Sequence, residues 1–176
     1  MIYFASLMKW GHPAMGMLIL VALVGLRRVV SVEHPAKSAF VASFVLFATG
    51  GVLGYMISGV NVVIPAHYHG SIVGVTLAFM GLTYALLPQL GFRAVEGRMA
   101  RLQPYIYGGG QLMHVAGLAW SGGYGVQRKV AGADQMLTTL PQKIGMGMMG
   151  LGGLIAIIGG LLFVVVCLKA MWPNQK

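Results

Sequence analysis

Five apolar runs dominate the chain, at residues 11–26, 39–60, 67–90, 104–121 and 144–171. Each is read as long enough to cross about 30 Å of hydrocarbon as a helix rising 1.5 Å per residue. Inside lipid no water can satisfy backbone N–H and C=O groups, so such runs must close their hydrogen bonds internally. The expected fold is therefore an all-α membrane protein of about five transmembrane helices. Composition agrees: only 9% of the 176 residues are charged and the mean hydropathy is +0.80, whereas a soluble domain carries about a quarter charged residues. The first run lies between Lys9 and Arg27-Arg28 and lacks a small-residue cleavage site, so it reads as a retained span rather than a signal peptide. The fourth, with three consecutive glycines (Gly108, Gly109, Gly110) and His114, reads as a helix packed inside protein.

The net charge of +9 would point to nucleic acid in a soluble chain. Here the cations fall between apolar runs and are not interleaved with aromatics, so the expected partner is the lipid bilayer and not nucleic acid. Cations accumulate on the cytoplasmic side of membrane proteins. Arg27, Arg28, Lys37, Arg93, Arg98, Arg101, Lys169 and Lys176 fall on one side, and Lys9, Arg128, Lys129 and Lys143 on the other. That places the N-terminus outside and the C-terminus in the cytoplasm. The lone Cys167 allows no intrachain disulfide and reads as packing, as Met146, Met148 and Met149 read as core filler or lipid-facing side chains. Small residues four apart (Gly50 and Gly54; Gly70 and Gly74; Gly152, Ala156 and Gly160) allow close helix approach. The acidic residues Glu33, Glu96 and Asp134 all lie outside the runs, which leaves no intramembrane carboxylate for a proton path.

The chemistry concentrates at Ile64-Pro65-Ala66-His67-Tyr68-His69-Gly70. Pro65 suits a first helical turn, where its missing N–H is harmless. Helical positions two apart differ by about 200°, so His67 and His69 leave on nearly opposite faces and cannot easily share one metal. They can ligate two cofactors on two sides of one helix, and imidazole is a common axial ligand of haem iron. The competing reading is a pair of interfacial histidines bonded to water or backbone.

The stretch from Phe44 to Gly91 resembles the ninth and tenth helices of haem–copper oxidase subunit I, the cytochrome c oxidase family. Its marks are Phe44, Phe47, the Gly50-Gly51 pair, His67-Tyr68-His69 and the closing Pro88. The resemblance continues through QLMHVAGLAWSGGYGVQRKVAGADQMLTTLP, similar to the eleventh helix and its loop of paired basic residues. It covers roughly Ser38 to Trp172 and implies residues 38–176 as a four-helix segment resembling helices nine to twelve, while the first apolar run makes residues 1–37 an N-terminal transmembrane helix and cytoplasmic loop. By position it implies His67 as axial ligand of a high-spin haem, His69 as axial ligand of a low-spin haem, and Arg128 and Lys129 as holders of haem propionates. His12, in Trp10-Gly11-His12-Pro13, resembles a copper ligand, although Gly16 stands where the family has a tyrosine. His114 resembles a non-ligand histidine with a structural hydrogen bond, and His34 reads as a solvated loop residue.

Other parts of the family pattern have no counterpart. The copper-ligating histidine pair and the second low-spin haem ligand lie on upstream helices, and Gly59-Val60 stands at the spacing of the magnesium-binding His-Asp pair. The resemblance thus implies one part of a split respiratory oxidase in a bacterial or archaeal cytoplasmic membrane, not catalytic as an isolated chain. A larger membrane subunit would bring the N-terminal helices and most copper ligands, and cytochrome c or a quinol the electrons. Two alternatives stay open: a haem-binding electron-transfer subunit without oxygen chemistry, and a part of a nitric oxide reductase.

Overall fold

The computed structural model describes residues 34–130 and 132–172, together with scattered positions in the first 33. The described positions between 6 and 25 are helical. His12, Lys9, Arg27, Arg28, Glu33 and Lys176 lie outside the described residues.

Four long helices follow: α1 (Pro35–Tyr55), α2 (Val63–Leu86), α3 (Arg98–Gly123) and α4 (Leu140–Met171). A 3₁₀ turn at Gly132–Gln135 and one isolated bridge between Asn61 and Gln127 complete the described residues, which hold no strand. The all-α expectation holds, and α1, α2 and α4 are each long and apolar enough to cross a membrane. The chain is an integral membrane protein. The fourth expected span, within α3, is the least apolar helix, and its buried face includes Gln103, Pro104, Gly108 and Gly110.

Helix boundaries depart from the apolar runs by up to six residues, and local chemistry accounts for the shifts at both ends of α1 and at the start of α2. Helix α1 starts at Pro35, not at 39, because His34 caps it: Nδ1 accepts the Ala36 N–H at 3.2 Å. His34 is therefore a cap and not a solvated loop residue. The same helix ends at Tyr55 although the sequence stays apolar to Val60: the Met56 N–H turns back to the Leu53 carbonyl, and Gly59 then redirects the chain at φ +72°. Val63 N–H then donates to Asn61 Oδ1 at 3.0 Å as α2 starts, so Pro65 falls in its first turn as expected.

The helices alternate in direction. Small residues set the contacts, although not always the expected ones. A Cβ on Gly70 would lie 2.7 Å from Gly50 Cα, and one on Gly110 would lie 2.5 Å from Ala156 N. On α4 the close approach falls on Gly145, Gly152, Ala156 and Gly159, whereas Gly160 reaches only the Tyr107 ring at 3.9 Å. Three apolar clusters stack from one end of the bundle to the other. Tyr84, Leu87, Val95, Ala100, Val166 and Ala170 form the first, with Cys167 packed against it, and Ala39, Leu46 and Leu77 the second. Leu53, Val62, Ala66, Val115, Leu118 and Val126 form the third, which Met146 and Met149 flank. Cys167, Met146 and Met149 thus fill space, as their sequence context implied.

Candidate functional site

The third cluster lies beneath the end of the bundle where α1 and α3 finish and α2 and α4 begin. His67 and His69 leave α2 here, and they diverge as helical geometry demands. His67 turns towards α1, where its Nδ1–H donates to the Gly50 carbonyl at 2.7 Å. Gly54, one turn on, makes room: a Cβ there would stand 2.9 Å from Nδ1. Donation from Nδ1 fixes the tautomer, so the lone pair resides on Nε2. A ring held by Nδ1–H to a carbonyl, with Nε2 carrying the lone pair, is the usual arrangement of a metal-ligating histidine.

His69 turns the other way, towards α3. Its ring meets His114 edge-to-face at a centroid distance of 5.0 Å and leans on Tyr68 at 5.4 Å. His114 is itself held, since its Nδ1–H donates to the Met149 carbonyl of α4 at 2.9 Å. The expected structural hydrogen bond of His114 is therefore present.

The paired basic residues follow α3. Val62 N–H donates to the Val126 carbonyl at 3.0 Å, and Asn61 bridges Gln127. This ties the segment before Arg128 to the first turn of the histidine helix. Val126, 2% exposed, anchors the tie in the third cluster. Arg128 is half-buried, and its Nε is buried with no hydrogen-bond partner. A buried cationic donor left unsatisfied costs more than the about 1–3 kcal/mol of a neutral one. A carboxylate there would offset that cost. Lys129 is exposed and takes the left-handed backbone (φ +62°) that reverses the chain.

Gln142 was not singled out by the sequence reading. Its Oε1 accepts the Thr138 and Thr139 N–H groups at 3.0 and 3.1 Å, and its Nε2 donates to the Tyr124 carbonyl at 3.0 Å. One side chain thus ties both ends of the 124–139 connection to the start of α4. The signal was available: Thr139 followed three residues on by Gln is a capping-box spacing. At the opposite end Gln103, fully buried, accepts from Tyr84 Oη at 2.9 Å and donates to the Gly159 carbonyl at 3.1 Å. Among the described residues no cluster of three or more His, Cys, Asp or Glu side chains could hold a metal ion.

No protein-family model matches the chain. It is 40% identical over 147 residues to an uncharacterized protein of Rickettsia prowazekii (strain Madrid E), covering 77% of this chain and 28% of that one. It is 32% identical over 102 residues to an uncharacterized protein of Aquifex aeolicus (strain VF5), covering 57% and 26% respectively. The cryo-EM structure of a haem–copper terminal oxidase dimer superposes with a TM-score of 0.66 at 23% identity, over 81% of this chain and 28% of that one. The chain spans about a quarter of the length of the proteins it matches. At that identity the likeness establishes the fold: the helices adopt the arrangement of one part of a haem–copper oxidase chain.

Proposed function

We propose that this chain forms the haem-ligating C-terminal helices of a respiratory haem–copper oxidase, as part of a split subunit. The observation that carries the reading is the 2.7 Å hydrogen bond from His67 Nδ1 to the Gly50 carbonyl, with Gly54 shaped around the ring. The hydrogen bond fixes the orientation of the ring, which is what an iron ligand requires. On this reading His67 serves a high-spin haem on the α1 side and His69 a low-spin haem on the α3 side. The buried Arg128 Nε would receive a haem propionate, and Lys129 would add a point charge.

Haem supplies electron transfer and, where its iron keeps an open position, dioxygen binding. The residues of this chain hold, orient and charge-balance it. The second low-spin ligand and most or all copper ligands belong to a larger membrane subunit, with cytochrome c or a quinol as donor. The site end of the bundle would then face the outside of a bacterial or archaeal cytoplasmic membrane. By its family position His12 would be a copper ligand.

The test is to replace His67 and His69 separately by Ala in the membrane complex as the cell assembles it. His67→Ala should abolish the carbon monoxide-reactive haem band, and His69→Ala the other. If neither substitution alters the spectrum, the ligand assignment is wrong. A wild-type complex with haem but no carbon monoxide shift and no copper would identify an electron-transfer subunit without oxygen chemistry. Turnover of nitric oxide with a second iron in place of copper would identify a nitric oxide reductase part.

A further inference from the structure

At the end of the bundle opposite the histidines lies a cavity of about 450 Å³ between the α2–α3 connection, the start of α3 and the last turn of α4. Three cations from three separate segments reach it: Arg93, Arg98 and Lys169. Arg93 is committed to the fold, because its backbone N–H donates to the Ala170 carbonyl at 3.2 Å and its guanidinium to the Lys169 carbonyl. Arg98 and Lys169 are exposed, and among the described residues neither side chain is in an ion pair or hydrogen bond. Among the described residues Glu96 is the one acidic side chain lining the cavity, so their cations outnumber their acids there. The wall beneath is apolar: Val95, Ala100 and Val166 are buried there and belong to the cluster around Tyr84.

A cationic rim over an apolar wall suits an amphiphile better than a free ion. Its place also suits one. With 32 residues α4 is about 48 Å long, longer than about 30 Å of hydrocarbon, and Lys169 in its last turn favours headgroup level for that end. Basic pockets at the cytoplasmic ends of membrane helices hold anionic headgroups, each cation near the surface adding about 1 kcal/mol. We infer that this cavity binds the phosphodiester headgroup of an anionic phospholipid, with Arg98 and Lys169 on the phosphate and the acyl chains along α4. The inference is independent of the haem reading, since no residue is shared.

The intact complex is purified from membranes, reconstituted in vesicles of mixed phosphatidylglycerol and phosphatidylcholine, and re-extracted in mild detergent. Lipid retained per protein is then measured by mass spectrometry. Retained phosphatidylglycerol should exceed its share of the vesicle. Arg98→Gln and Lys169→Gln should each lower the enrichment about fivefold, Lys169→Arg should restore it, and Lys143→Gln at the other end should leave it unchanged. Absence of enrichment in the wild type overturns the proposal without recourse to any variant. Displacement of the lipid by inorganic phosphate alone, with equal loss of both lipids, would show an ion site and overturn it as well.

Discussion

The contact between Gly54 and the His67 ring is the most exposed point of the site to a single atom. An added Cβ stands 2.9 Å from Nδ1 and 3.0 Å from Cε1, so the ring must rotate away from the Gly50 carbonyl. Overpacking of this kind costs about 1–3 kcal/mol. Gly54→Ala should therefore lower the melting temperature of the complex and perturb the His67-dependent haem band, while leaving the His69-dependent band in place. Gly160→Ala, whose Cβ would meet only ring carbons at 3.9 Å or beyond, should leave both unchanged. An unaltered His67-dependent band in Gly54→Ala would separate this hydrogen bond from any role in ligation. His34 offers a second residue-scale test, remote from the site. His34→Ala removes the side-chain cap of α1 and should cost about 0.5–2 kcal/mol, read as a lower midpoint in thermal unfolding with an intact haem spectrum.

Between helices, the polar ties separate into two ends. Gln103→Leu leaves the Tyr84 hydroxyl and the Gly159 carbonyl without their partner. It should destabilise the α3–α4 pairing by about 1–3 kcal/mol. A double-mutant cycle with Tyr84→Phe should report a coupling of about 0.6 to 1.7 kcal/mol, and a coupling of zero would mean that the hydrogen bond contributes nothing to assembly. How legible these elements are in the sequence follows from the range of the forces that make them. The apolar runs disclosed α1, α2 and α4, because hydropathy is summed over many neighbouring residues. It missed the boundaries, which rest on single atoms: the His34 cap, the turn at Gly59 and the Asn61 side chain. The divergence of His67 and His69 was legible because about 200° is a property of one helix. Their neighbours, Gly50 and His114, were not, because pairings across helices leave no local pattern. Gln103 has no motif at all, whereas the Thr139 and Gln142 spacing announces a helix start and went unread.

For the molecule as a whole, the charge asymmetry predicts which end faces the cytoplasm. Lys37, Arg93, Arg98, Arg101 and Lys169 lie at the end away from the histidines, and Arg128, Lys129 and Lys143 at the histidine end. In a Cys167→Ser background, Ser58→Cys should react with a membrane-impermeant maleimide from outside, and Glu96→Cys only after permeabilisation; the reverse pattern would invert the topology. The bridge between Asn61 and Gln127 has a consequence for how the protein is made. The histidine helix is synthesised early, yet the strap that fixes its first turn comes only after the ribosome has passed Gln127. At about 5–20 residues per second several seconds separate the two. During that interval the imidazoles stand without the segment that bears Arg128. The outer end of the histidine helix is thus completed only once the chain beyond α3 has emerged, after the spans before it are already made.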